Sequence, residues 1–524
     1  MIDHFPFYLC LVVTILLLIM LANRLKIAYP VLLVIAGLLI SFVPGIPQLH
    51  IESELIFAIF LPPLLYDAAW QISWKELWRW RRVISGFAFP IVFFTALAVA
   101  LAANRFIPGF SLALGFLLGG IVSPPDAVSA GAILKFVKVP KTVSSILEGE
   151  SLLNDASSLI IFRFALIAVG TGQFVWHEAA LSFVWMVLGG IGSGLAAGWI
   201  IMKMHKFLPT DANMDIVLTL VTPYVMYILG EEIGSSGVLA VVAGGLLLSN
   251  RRLRFLTSTS RLRNVNVWES LSFMLNGLVF ILIGLDLPQI ISELGDTGVT
   301  VGIRYGLLIT LVLVITRLLS AYGAVVFTLI ARNFITVADP RNPGARAPFV
   351  IGWVGMRGVV SLAAALSIPT HLTDGTVFPQ RNLILFITFV VILTTLLVQG
   401  LTLPLIIKRL NLTDRDNNLS EEEMYMALRK QLNQVAIDYL HSNYQKELKE
   451  QPALQQMEQK WQLGTAEPDE AELANQPKSI YQQILNQQRK WLIQKNHEKN
   501  TLSEDVVRRH LLYLDLEEEK LNFL

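Results

Sequence analysis

The sequence is short of cysteine. Cys10 is the one thiol among 524 residues, so no internal disulfide and no cysteine zinc site is available. Inside an apolar run it reads as a small buried hydrophobe. The sequence is also short of charge. Asp, Glu, Lys and Arg make up 15% of it, where a soluble domain of average composition carries about 25%. That excludes a single soluble globular fold. No basic domain stands apart from clusters that flank apolar runs, which argues against a nucleic-acid partner. The spans show no metal-histidine pair and no nucleophile–base pair, and the C-terminal part has no nucleotide-binding glycine loop. Nothing points to an enzyme or to a bound cofactor.

The charge that is present is uneven. Residues 1–410 hold 27 Lys and Arg against 20 Asp and Glu, a net of +7; residues 411–524 hold 14 against 20, a net of −6. The formal net of +1 is the sum of two opposite parts. The first reads as an integral membrane domain and the second as a cytoplasmic tail, helical with loops. Glu421, Glu422 and Glu423 follow Ser420, a helix N-cap with an acidic first turn.

A bilayer core needs about 20 apolar residues per helix. Thirteen apolar segments qualify: 5–22, 28–44, 54–71, 84–103, 111–135, 143–169, 180–202, 213–230, 236–249, 268–287, 304–331, 348–369 and 382–407. The tenth can be followed by a half-buried stretch to Leu294. The first is read as a span and not a signal peptide, because Arg24 and Lys26 follow its apolar run instead of preceding it. With the N-terminus outside, the inside loops carry nineteen basic residues, from Arg24 and Lys26 through Lys75–Arg82, Lys135–Lys141, Lys203, Lys206 and Arg251–Arg263 to Arg332, Arg341 and Arg346. The outside loops carry Arg105, Arg304 and Arg381. This asymmetry predicts a multi-pass cell-membrane protein with its tail in the cytoplasm.

Ionisable residues inside a span cost about 2.5–3.5 kcal/mol each on insertion scales, and mark function by default. Here they are Asp67, Asp126, Glu150, Asp155, Arg163, Asp286, Arg317 and Arg357. Two regions concentrate the signal. In Gly119-Gly120-Ile121-Val122-Ser123-Pro124-Pro125-Asp126 the paired prolines should break the helix, leaving free carbonyls on one side and free amides that Asp126 can cap on the other. In Glu148-Gly149-Glu150-Ser151-Leu152-Leu153-Asn154-Asp155, Glu150 and Asn154 lie four apart, as do Ser151 and Asp155. Helical spacing puts each pair on neighbouring stripes of one face. That face presents hard oxygen donors of the kind a small alkali cation accepts in place of water. A carboxylate there could instead be the structural partner of Arg163 or another arginine. A second break is predicted at Gly352-Trp353-Val354-Gly355-Met356-Arg357-Gly358, where Arg357 either neutralises the carbonyl end of a broken helix or pairs with Glu150. The breaks fall in spans 5 and 12, an odd offset. That predicts two inverted six-helix repeats, about 5–169 and 213–407, around a linker helix at 180–202, with the broken helices crossed at the site.

These residues carry a resemblance. Leu61-Pro62-Pro63-Leu64-Leu65-Tyr66-Asp67-Ala68, Ser123-Pro124-Pro125-Asp126-Ala127-Val128, Glu148 through Ala156, Gly237 through Gly244, Leu275 through Leu285 and Gly355-Met356-Arg357-Gly358, in this order along residues 5–410, resemble the monovalent cation/proton antiporter superfamily, in its sodium/proton exchanger branch and NhaP-like bacterial form. The resemblance implies a secondary antiporter, a homodimer, and a protomer split into a dimerisation domain and a six-helix ion-carrying core. It implies that Asp155 holds either Na⁺, or another monovalent cation, or a proton. Ser151 and a backbone carbonyl near Pro125 would help to coordinate the ion. Glu150 would bind through water or pair with Arg357, and the Asn154-Asp155 pair goes with electroneutral exchange. Pro124-Pro125 stand where many relatives carry a side-chain hydroxyl or an amide proton. Arg163 has no role in the shared signature beyond a buried ion pair. A cation channel and a non-transporting membrane sensor are the rival classes. A channel would not need a proton-competing carboxylate inside an inverted repeat, and a sensor leaves the mid-span charges unexplained.

Overall fold

The computed structural model describes residues 5–25, 27–43, 56–134, 137, 139–172, 176–292, 294, 298–334, 337, 339, 342–372, 375–412, 421–463, 478–498 and 502–523. Lys26, Lys135, Lys138, Arg341, Ser420 and the 464–477 stretch lie outside the described residues. Among the described residues every regular element is helical, and strand-like pairing is confined to one bridge between His371 and Val377. A helix satisfies each backbone N–H and C=O within its own segment, which is what an apolar chain in a bilayer requires.

The order is α1 (Phe5–Leu25), α2 (Tyr29–Ser41), a π turn (Ile56–Phe60) running into α3 (Leu61–Gln71), α4 (Trp74–Gly86), a second π turn (Phe87–Ile91), α5 (Val92–Phe106), α6 (Leu112–Val122), α7 (Ala127–Leu134), α8 (Lys141–Thr171), α9 (Trp176–Phe207), α10 (Ala212–Glu232), α11 (Gly237–Arg251), a 3₁₀ turn (Arg252–Arg254), α12 (Ser258–Leu285), α13 (Leu287–Ser292), α14 (Val299–Ala331), α15 (Arg346–Trp353), α16 (Val359–Leu366) and α17 (Arg381–Leu410). The C-terminal part adds α18 (Glu421–Asn443), α19 (Gln445–Glu450), α20 (Pro452–Leu463), α21 (Lys478–Glu498) and α22 (Glu504–Phe523).

Each of the thirteen apolar segments carries helix. Among the described residues eight helical stretches are long and apolar enough to cross a membrane, including Lys141–Thr171, Val299–Ala331 and Arg381–Leu410. Both predicted breaks are present. α6 stops at Val122 and α7 starts at Ala127, on either side of Pro124-Pro125; α15 stops at Trp353 and α16 starts at Val359, on either side of the Gly355–Gly358 stretch.

Two local expectations are corrected. The basic cluster Lys75–Arg82 is not a loop but lies in α4, which runs through the π turn into α5. Ser73 caps it, its hydroxyl accepting from the Glu76 amide at 3.1 Å. The π turn accommodates Pro90 inside the run. Cys10 is exposed and not buried, because one face of α1 carries apolar side chains that no neighbouring helix covers. Asp286 lies within the candidate span Ser258–Ser292, at the turn between α12 and α13, and its amide closes on the Leu282 carbonyl at 3.1 Å.

The chain forms two compact units, one of Met1–Met204, Leu218–Arg251 and Trp268–Thr413, the other of His205–Val217, Arg252–Val267 and Asp414–Leu524. In the first, α5 and α6 pack backbone to backbone. A Cβ on Gly115 would meet the Ala100 backbone at 2.7 Å, and one on Gly119 the Ala96 carbonyl at 2.5 Å. Small residues four apart make this close approach, as in membrane helix pairs. α17 is the most enclosed of the eight candidate spans.

The second unit is a helical bundle with two apolar clusters. Leu440, Leu454, Met457, Tyr481, Ile484 and Leu514 form one; Leu428, Leu492, Val506 and Val507, with Leu253 against them, form the other. Its acidic helix α22 has basic partners within the unit. Asp515 accepts from Arg261 Nε at 2.8 Å and Nη2 at 2.5 Å, and from Arg489 Nη2 at 2.9 Å. Asp215 takes His205 Nδ1 at 2.8 Å and the Ser260 hydroxyl at 2.7 Å.

Candidate cation site at the helix breaks

The site grows from the two interruptions. Pro124 and Pro125 cannot donate to the α6 ladder, so α6 ends with its last carbonyls unpaired. Arg357, fully buried, fills that gap. Its Nε donates to the Val122 carbonyl at 2.7 Å and its Nη2 to the Ser123 carbonyl at 3.3 Å, and Nη1 turns back to the Gly355 carbonyl. A full positive charge thus sits at the negative end of a helix dipole. On the other side of the break Asp126 caps α7, its Oδ2 accepting from the Ser129 amide at 3.3 Å and hydroxyl at 2.5 Å.

The two unwound stretches touch. The Asp126 amide donates to the Met356 carbonyl at 2.7 Å. A Cβ at position 358 would collide with the Asp126 carboxylate, so glycine is needed there for close approach. The backbone of the second break is well accounted for: Val354 O takes Arg317 Nε at 3.0 Å, and the Arg357 amide goes to the Thr395 hydroxyl at 3.2 Å.

α8 runs unbroken past this crossing, so its four-residue spacings hold. Asn154 is fully buried and its Nδ2 donates to the Pro125 carbonyl at 3.2 Å, while its Oδ1 has no partner among the described residues. The Pro125 carbonyl expected to serve the ion is therefore also a partner of Asn154. Ser157 donates to the Ala88 carbonyl in the second π turn and to the Asn154 carbonyl. Ser151 is half-buried one turn before Asp155. Asp155 is buried, and among the described residues no donor reaches its carboxylate.

The expected pairing of Glu150 with Arg357 is corrected. Glu150 pairs with Arg317 of α14, Oε1 with Nη1 at 2.5 Å and Oε2 with Nη2 at 2.8 Å, both side chains buried. Arg357 is occupied by carbonyls, which is the other of the two roles read for it. Arg317 was visible only as an intramembrane charge. The signal that could have found it is charge balance, but that ranks Arg317 and Arg357 equally. Arg163 pairs with Glu231, at the end of α10, and both side chains stay partly exposed, so the pair is not fully buried. Asp67 is held within α3, both its oxygens accepting from Gln71 Nε2 at 2.9 Å. The crossing therefore brings together Pro125, Asp126, Asn154, Arg357 and, through Val354, Glu150 with Arg317. Asp67 and Arg163 have their own partners.

Residues 11–409 match the family described as sodium/hydrogen exchanger, transmembrane. A sodium, potassium, lithium and rubidium/H⁺ antiporter of Bacillus subtilis is 38% identical over 387 residues, covering 72% of this chain. The match spans 57% of that relative's length. The low-affinity Na⁺/H⁺ antiporter NhaS1 of Synechocystis is 33% identical over 420 residues, 78% of this chain and 75% of its own. In fold, the sodium proton antiporter MjNhaP1 of Methanocaldococcus jannaschii superposes with a TM-score of 0.60 at 20% identity, covering 76% of this chain and 99% of that one.

Proposed function

The chain belongs to the sodium/hydrogen exchanger family, and from that premise we propose that it is a secondary antiporter that exchanges a monovalent cation for protons at Asp155. Na⁺ is the first candidate, with K⁺ and Li⁺ as alternatives. One observation carries the reading. Glu150 is neutralised by Arg317 and Asp126 caps α7, whereas Asp155 is buried beside the crossing with no protein donor on its carboxylate among the described residues. A buried charge without a partner is expensive. Asp155 is therefore carried either with a cation, aided by Ser151 and the Pro125 carbonyl, or with a proton. The empty charged form is the one that moves least. That rule produces exchange and not leak.

Asn154 bears no charge, so one carboxylate exchanges one cation for one proton and the cycle is electroneutral. The orientation follows from the loop charges, with the N-terminus outside and residues 411–524 in the cytoplasm. The interruptions at 123–126 and 354–358 would be equivalent parts of two inverted repeats, about 5–169 and 213–407, whose rocking alternates access. The carrier would work as a homodimer in lipid. The test is a vesicle assay with an imposed proton gradient and Na⁺, K⁺ or Li⁺ added in turn. Cation-dependent dissipation should persist with the voltage clamped at zero and disappear in Asp155→Asn, which still inserts. Undiminished flux in that variant would remove Asp155 from the site.

A further inference from the structure

Arg163 is an intramembrane charge that the exchange reading leaves unused. It lies on α8 eight residues beyond Asp155, with Leu159 midway. Residues at i, i+4 and i+8 share one stripe of a helix, so Asp155, Leu159 and Arg163 rise along one face over about 12 Å. Arg163 Nη2 pairs with Glu231 Oε2 of α10. The other oxygen, Glu231 Oε1, accepts from the Gly237 amide at 3.0 Å, so the carboxylate is anchored at the start of α11. Arg163, Glu231 and Leu159 line one cavity of about 180 Å³, with Ser236 and Ser367 adding polar wall. Its volume is that of several water molecules.

The pair is too exposed to be structural filling, at 42% for the Arg163 side chain and 30% for Glu231. Two ionised side chains in a membrane helix do not face lipid; they face protein or water. The cavity they line is therefore wet. Its apolar lining at Leu159 lies one helical turn from Asp155.

We propose that this cavity is an aqueous vestibule leading to Asp155, that Leu159 seals its inner end, and that the Arg163–Glu231 pair is the latch at its mouth. The inference rests on the exchange reading for what passes through, but the cavity and latch can be tested without transport. The pair ties α8, which bears the site, to the α10–α11 turn. Opening the vestibule separates these elements and breaks the pair.

The experiment uses the full chain in vesicles with Cys10→Ser as background, so that an introduced thiol is the sole one. Leu159→Cys is treated with a membrane-impermeant cationic thiol reagent. Labelling is expected, and about fivefold faster when Glu231→Gln removes the partly exposed pair. A thiol that reacts only after denaturation overturns the vestibule, and equal rates with and without the pair overturn the latch. Proton flux is read in the same vesicles. Flux in unlabelled Leu159→Cys that vanishes on labelling supports the path to Asp155; full flux after complete labelling overturns it. Flux that is absent already in the wild-type chain counts against the exchange reading, while the labelling rates still decide the vestibule.

Discussion

Arg317 holds Glu150 through two parallel hydrogen bonds, at 2.5 and 2.8 Å, and at the same time holds the Val354 carbonyl at the second helix break. One arginine thus ties helix α8, which carries Asp155, to the end of α15. The fork of a guanidinium suits this task, since it serves a carboxylate and a third acceptor at once. Arg317→Ala should destabilise the protein by about 3–5 kcal/mol, because it strands a buried carboxylate. Arg317→Lys keeps the charge but loses the fork, and should fall between. Thermal unfolding of the purified protein in detergent checks both; an Ala variant that melts like wild type would show that the pair is dispensable.

Arg357→Ala should lower both exchange and melting temperature. The reason is not a lost ion pair but the Val122 and Ser123 carbonyls, which would be left buried and unpaired. Each such group costs about 1–3 kcal/mol. Arg357→Lys supplies a charge but cannot reach both carbonyls in one plane, so it should recover stability only in part. Wild-type melting in Arg357→Ala would mean that the carbonyl end of α6 has another source of donors.

The parts legible in the sequence are those with local causes. Pro124-Pro125 and the Gly355–Gly358 stretch act on their own backbone, and the breaks sit where those residues stand. The oxygen face of α8 follows from four-residue spacing on an unbroken helix. The partnerships were not legible, because they join distant positions. Arg317 and Glu150 are 167 residues apart, Arg163 and Glu231 68 apart. Charge alone allows several pairings, and only packing chooses among them. The α4 correction had a local signal, the Ser73-to-Glu76 capping spacing, which the loop-charge rule outweighed. The C-terminal part read as a tail, helical with loops, and its charge gave no sign that Asp515 would meet Arg261 in the first turns of α12.

In the second unit His510 stacks on Tyr425, ring centroids 4.1 Å apart, and its Nε2 donates to the Tyr425 carbonyl at 3.1 Å. That places a proton on Nε2. Burial pushes its pKa down to about 4, with Arg429 and Arg509 adding to the shift against the pull of the carbonyl bond. The unfolded chain, with histidine near 6.5, then binds more protons between those values. The stability from His510 is full above about pH 6.5 and is lost as pH falls towards about 4. Amide exchange in α18 and α22 of the full chain, corrected for intrinsic rates, should quicken between pH 7 and pH 5. His510→Gln should weaken that dependence; an identical profile in the variant would assign the effect to another group.

Asp515 accepts from Arg261 and Arg489 together and is nearly sealed from solvent, at 4% exposure. Asp515→Asn leaves two guanidinium groups sharing less negative charge in a buried place. The expected result is faster amide exchange in α22 and in the 252–267 segment together, since the two are joined at this carboxylate. Removing residues 421–524 goes further, because it strands Arg261 on the membrane part of the chain with its carboxylate gone. The truncated protein should melt lower, and its exchange should show a shifted pH profile, because segments 205–217 and 252–267, which join α9 to α10 and α11 to α12, lose the unit they are folded into. If melting and pH profile both stay where the full chain has them, the C-terminal helices are a solvated appendage. If both move and Asp515→Asn moves them the same way, the carboxylate at 515 is the contact through which the tail acts.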